Sequence, residues 1–190
     1  MFFYERKHYY NPEFKIELHK KKNKPKLLEK KDLFFYCIYQ KVHDYNILDK
    51  YNENLEKIKV IECLQKIKLK HQDKIIELLT EPTMSLCCLN ALCILWKINI
   101  IWFSDYCYCE FKYDENEVIH YLHHDLQWKT NVDLSDKYKI EDVFKPLKCM
   151  SYYKLDDLKE MSQYFKVEGK KKKDYYDNIL GYLKFIKLIL

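Results

Sequence analysis

Three features of the 190-residue sequence predict an α+β fold, mainly helical with a small antiparallel sheet. Helical spacings of apolar residues fill most of 32–96 and return after residue 150. Between them, 99–124 reads as short β-rich or alternating runs around a polar turn, the pattern of helices packed on a small sheet. Composition agrees: 48% apolar and 33% charged residues describe a globular chain rather than a disordered one. A chain this long forms one compact domain, or one with a small appendage. The sequence divides into a basic segment at 1–31, an α+β globular region at 32–145, and a helical unit at 146–190, with Pro146 marking the last boundary.

Each element follows from local chemistry. Asp32 can cap a helix over 32–45 whose Phe34, Cys37 and Ile38 share a face. Between residues 53 and 71, Leu55, Ile58, Ile61, Leu64 and Ile67 recur every third residue among charges, predicting one amphipathic helix. A short helix over 73–80 stops before Pro82. Residues 85–96 are apolar on nearly every side, so a helix there is buried. Residues 99–103 are β-rich and 106–111 alternate. The turn Asp114-Glu115-Asn116-Glu117 then leads to a strand over 118–124. Leu155, Leu158, Met161 and Phe165 form one helical stripe; Ile179, Leu180 and Leu183 form another after the Gly169 break.

Charge is unevenly placed. Residues 1–31 carry +6, 32–144 carry −6 and 145–190 carry +5, so two basic ends flank an acidic middle. Such ends approach phosphate or complement the acidic middle. The lysine run at 19–31 reads as a solvated linker, a nucleic-acid contact or a nuclear address. Lysine supplies every basic residue except Arg6, Ala91 is the only alanine, and there are two glycines against 18 tyrosines. This is the usage of an AT-rich genome, and it inflates lysine independently of function. No run reaches the roughly 20 apolar residues of a membrane helix, and the amino terminus lacks a signal-peptide pattern. The eight cysteines sit mostly among apolar residues, where reduced thiols behave as small hydrophobes. The expectation is a soluble, intracellular protein without membrane contact.

The most legible signal is SYYKLDDLKEMSQYFKVEGKKKKDYYDNILGYL at 151–183. In it, LDDLKEM, then Phe165 and Val167, then GKKKKDYYDNI resemble the SAP motif, a helix–extended loop–helix DNA-binding module. The resemblance covers about 35 residues, and the spacing of its three parts agrees. It departs at Lys154, where the family usually carries a hydroxyl cap. Lys170, Lys171, Lys172 and Lys173 precede or open the second helix, where exposed amides and ammonium groups favour anions. Phosphate is the natural ligand, with Lys154 assisting. Such contacts position a protein on DNA without reading its sequence.

A second resemblance is to papain-like folds, in particular ovarian-tumour-type deubiquitinases. A cysteine-bearing helix around Cys37, a buried helix with following strands (LNALCILWKINIIWF), and His120-Tyr121 occur in the same order. The resemblance implies Cys37 as nucleophile and His120 as its base. It departs in the missing Asp-Gly pair and in the aromatic setting of Cys37; His123 and His124 compete with His120. Cys107 and Cys109 share a strand face and could meet His123 or Tyr121 across a hairpin. Ordinary buried cysteines explain them better, because two thiolates and one histidine leave a zinc site incomplete. With two glycines there is no phosphate-cradling loop of either common type, so neither cofactor nor metal is expected.

The sequence therefore points first to non-enzymatic nucleic-acid binding at a duplex DNA backbone, with the middle region as scaffold or docking module. A papain-like cysteine peptidase, active or degenerate and acting on a ubiquitin-like protein, is the alternative. A structural virion or interaction protein is the third reading. The AT-rich usage and the terminal motif together resemble proteins of giant double-stranded DNA viruses, which implies a host nucleus, viral factory or virion as the setting.

Overall fold

In the computed structural model, which describes residues 32–43, 51–115 and 117–189, the first element is helix α1 (Leu33–Val42). The basic segment 1–31 and its lysine run lie outside the described residues. The Asp32 carboxylate accepts from the Phe35 amide at 3.0 Å, as the sequence predicts, and so satisfies an amide that a helix start leaves unpartnered. It does more than cap. It accepts from Met84 N at 2.6 Å and lies 2.8 Å from Lys57 Nζ, and Lys57 also donates to Glu81 O at 3.0 Å. The Asp32 amide donates to Glu53 Oε2 at 2.7 Å. Asp32 and Lys57 are both buried, so this ion pair ties α1 to α2 (Glu53–Leu64) and to the segment before residue 85. Its hydrogen-bonding capacity is well used, the condition under which a buried pair is tolerated.

Helix α2 corrects the expected stripe. It ends at Leu64 rather than continuing to residue 71, and its buried residues are Lys57, Val60 and Leu64. Leu55 and Ile58 are 49% and 52% exposed. The reason is angular: a step of three residues turns about 300°, so each apolar residue falls about 60° short of the last. Five such residues wind around the helix, and only part of the series can face a core. A separate helix, α3 (Gln72–Thr80), stops before Pro82 as expected. A 3-10 turn (Leu86–Cys88) leads into α4 (Leu89–Trp96), where Leu89, Ala91, Leu92 and Cys93 are buried.

The sheet is mixed, not antiparallel. Strands β1 (Asn99–Phe103), β2 (Cys107–Phe111), β3 (Ile119–His123), β4 (Trp128–Lys129) and β5 (Tyr138–Lys139) lie in the order β4-β3-β1-β2-β5. β1 pairs antiparallel with β2, but β3 pairs parallel with β1, not with β2. The polar turn at 114–117 is therefore not a hairpin. It carries the chain past the start of β1 to the other side. Asn99, 1% exposed, holds that crossing. Its Oδ1 accepts from Tyr113 N at 2.7 Å and Asp114 N at 3.3 Å; its Nδ2 donates to Asp114 O and, at 3.1 Å, to Glu117 O. Central β1 is buried along its whole length.

The last two helices are α5 (Leu155–Phe165) and α6 (Lys172–Ile189), joined by a six-residue connection at 166–171. α6 has 18 residues and carries the expected Ile179, Leu180 and Leu183. Leu158, Met161, Phe165, Ile179 and Leu183 are buried, whereas Leu155 is 37% exposed and falls off the stripe. These apolar residues continue the core of the sheet region. The Phe165 ring lies 5.4 Å from Tyr138 of β5, and Tyr182 lies 5.3 Å from Tyr106, beside β2. A pair too small to be stable alone thus completes its core on a sheet edge. The whole is an α+β fold, with six α-helices and five strands among the described residues. None of its helices there is long and apolar enough to cross a membrane.

Candidate nucleic-acid interface

Both carboxy-terminal helices start the same way. At α5, Asp157 accepts from the Lys154 amide at 2.7 Å; at α6, Asp174 accepts from the Lys170 and Lys171 amides, each at 3.0 Å. In each case an acidic residue in the first turn reaches back to the chain entering the helix, half of a capping box. Lysine has no acceptor with which to supply the other half. This corrects the expectation that backbone amides before α6 are open to an anion, because two of them already serve Asp174. The Asp174 amide donates to Lys171 O at 3.0 Å, so an incoming phosphate is left the Lys172 and Lys173 amides of the first turn and the ammonium groups.

Those ammonium groups are uncommitted. Lys59, Lys74, Lys112, Lys139 and Lys159 each lie within 3.3 Å of a carboxylate oxygen. Lys154, Lys170, Lys171, Lys172 and Lys173 have no such partner among the described residues, and all but the half-buried Lys172 are exposed. The basic cluster therefore makes no direct ion pair with the acidic middle among the described residues.

The connection brings the two helix starts together. Asn178 donates to Glu168 O at 2.7 Å, and Gly169 lies so close to α6 that an added Cβ would stand 2.8 Å from Tyr175 N. Tyr176 donates to Lys148 O at 2.8 Å, and its ring is 6.5 Å from Tyr153, the residue before the Lys154 cap. At the far end, Phe165 meets Tyr182 at 5.3 Å. Start meets start, and the end of α5 meets the middle of the longer α6, so Lys154 shares one end of the pair with the 170–173 cluster. A 3-10 turn (Met150–Tyr152) lies at that end and presents Tyr152, which is 61% exposed, with Lys148 Nζ 3.8 Å from its ring centre. Sequence reasoning missed Lys148 and Tyr152, because a tyrosine among 18 carries no signal until its exposure is known.

Cys37 and His120 occupy facing elements. Cys37, on α1, points its Sγ at Leu126 O at 3.5 Å. His120, on β3, meets the Trp128 ring edge-on at 6.2 Å. Trp128 touches both: burial pushes the Cys37 thiol up to about 11, while a hydrogen bond from Trp128 and the charge of Lys41 only partly oppose it. Such a thiol is protonated at neutral pH, the reverse of an activated nucleophile. His123 lies an odd number of residues from His120, hence on the other sheet face, with Nδ1 2.7 Å from Asp125 Oδ1 and Nε2 3.1 Å from His124 Nδ1.

The hairpin that could have set Cys107 and Cys109 opposite His123 or Tyr121 does not form. Cys107 pairs with Tyr138 and Cys109 with Trp102, whereas His123 and Tyr121 pair with Phe103 and Ile101. Among the described residues no group of three or more His, Cys, Asp or Glu side chains is placed to hold a metal ion. Comparison with protein-family models, with curated proteins and with solved structures finds no match to this chain.

Proposed function

We propose that this protein binds nucleic acid through its phosphate backbone, without catalysis, at the shared start of α5 and α6. One observation carries the reading: the side chains of Lys170, Lys171, Lys172 and Lys173 stand at a helix start with no carboxylate partner among the described residues. Lys154 adds a fifth such charge at the same end. Ammonium groups left unpaired beside the positive end of a helix form a field that attracts polyanions. Lysine contacts to phosphate set position and affinity but do not read bases.

The test is binding of a 20-base-pair duplex against salt, with the intact chain compared with a variant carrying Lys170→Gln, Lys171→Gln, Lys172→Gln and Lys173→Gln. Each phosphate that a lysine no longer neutralises lowers the slope of log K on log salt by about 0.9. The quadruple variant is expected to bind more weakly and to lose about 2 to 4 units of slope. Equal affinities and slopes would refute the reading. Substitution is a cleaner test than removal of 145–190, which would strip Leu158, Phe165 and Ile179 from the core.

A further inference from the structure

Phosphate contacts do not distinguish a duplex from a single strand, but the surface beside the lysines carries a second kind of contact. The segment 148–153 is held firmly. Tyr153 Oη accepts from Lys148 N at 3.0 Å, Tyr176 donates to Lys148 O at 2.8 Å, and Tyr153 packs edge-on against Tyr152 at 5.2 Å. On this fixed base Tyr152 is 61% exposed, although Lys148 Nζ already sits 3.8 Å from its ring centre. Met150 and Leu155, two residues before it and three after it in the chain, are 38% and 37% exposed. An exposed aromatic ring flanked by apolar side chains gains nothing from water, and a cation against it leaves the remaining surface suited to an electron-rich π system.

Tyr176 connects this platform to the lysines. Lys172 precedes it by four residues and so lies about one helical turn away on the same face, about 6 Å along the axis. The exposed ring lies two ring contacts beyond Tyr176, through Tyr153 at 6.5 Å and then Tyr152 at 5.2 Å, so ring and lysines share one end of the helix pair. A paired, stacked base offers no face to such a ring, whereas an unpaired base does.

Building on the phosphate reading, we infer that the preferred ligand is single-stranded nucleic acid, with Tyr152 as the surface on which one unpaired base stacks while the lysines hold phosphates of the same strand. The ring is sequence-tolerant, since every base has a π face.

The experiment measures binding of three 20-mers to the full chain at one salt concentration: oligo(dT), an abasic strand of equal charge, and a blunt duplex. Tyr152→Ala and Tyr152→Trp are measured beside the intact protein. Tyr152 is largely exposed, so neither substitution removes core packing. Oligo(dT) is expected to bind more tightly than the abasic strand and the duplex. Tyr152→Ala should weaken oligo(dT) binding by about 5- to 150-fold, leave the abasic strand unchanged, and be matched or exceeded in affinity by Tyr152→Trp. Equal binding of oligo(dT) and the abasic strand, or an alanine variant as tight as the intact protein, overturns the stacking assignment and leaves the phosphate reading standing. Absence of binding to all three strands at low salt overturns both.

Discussion

Replacing Asn99 should disconnect the crossing that places β3 beside β1. The side chain makes four hydrogen bonds to backbone groups of Tyr113, Asp114 and Glu117. At about 1 kcal/mol net for each bond, the sum approaches 4 kcal/mol. Tyr113, Asp114 and Glu117 are exposed residues, so their backbone groups can regain water in a variant, which moves the figure toward about 2 kcal/mol. Asn99→Ala is therefore expected to cost about 2 to 4 kcal/mol, a large share of the roughly 5 to 15 kcal/mol that holds a domain folded. The assay is urea unfolding followed by fluorescence, reported by buried Trp102 on the same strand. Asn99→Asp sharpens the test. It keeps the oxygen that accepts from two amides but points a second oxygen at two carbonyls. The carboxylate form is disfavoured in the fold, so its folded pKa is raised above the unfolded value. Its instability is then full above the folded pKa and is relieved as pH falls toward the unfolded value near 3.9. An alanine variant within about 0.5 kcal/mol of the parent, well under the net worth of one hydrogen bond, would refute the reasoning. So would an aspartate variant that loses ground to the parent on acidification.

Four further outcomes follow from other features. Lys57→Met leaves Asp32 charged and buried without its partner, and should cost about 3 to 5 kcal/mol in the same unfolding assay; adding Asp32→Asn should recover part of the loss. Gly169→Ala forces a methyl group to 2.8 Å from Tyr175 N and should destabilise the helix pair, whereas Gly181→Ala meets nothing within 4 Å inside α6 and should stabilise by about 0.5 to 1 kcal/mol. Burial alone would raise the Glu110 carboxyl, but hydrogen bonds and charge from Lys139 and Lys112 hold it below its ordinary value. Its contribution is present above the ordinary glutamate range and is lost as pH falls through the folded value, so the deficit of Glu110→Gln measured at pH 7 should shrink at about pH 3. In the folded protein a thiol-selective alkylating reagent should modify exposed Cys63 and Cys149 before Cys37; preferential labelling of Cys37 would instead favour the peptidase reading.

How much could be read in advance depended on the range of the interaction. The Asp32 cap, the stop before Pro82, and the break and basic run between the last two helices are decided within a few residues by capping and backbone sterics, and the sequence states them directly. The stripe in 53–71 was misleading because recurrence at three is not helical recurrence, and Lys57 took a buried place that its charge alone argued against. Cys37 and His120 were brought to facing elements, but the surroundings that raise the Cys37 thiol come from residues far along the chain, Trp128 and Leu126.

By itself the sequence determined the α+β class, most helix starts, the presence of three central strands and the lysines that mark the candidate interface. These follow from apolar periodicity and from local hydrogen-bond chemistry. Tertiary structure decided which strand pairs with which, how the last two helices complete their core on Tyr138 and Tyr106, and that Tyr152 stands exposed with Lys148 against its ring. A strand's pattern shows which face it buries but not its neighbour. The neighbour is chosen by where the connecting chain can cross with its polar groups satisfied, and beside β1 the buried amide of Asn99 satisfies four of them.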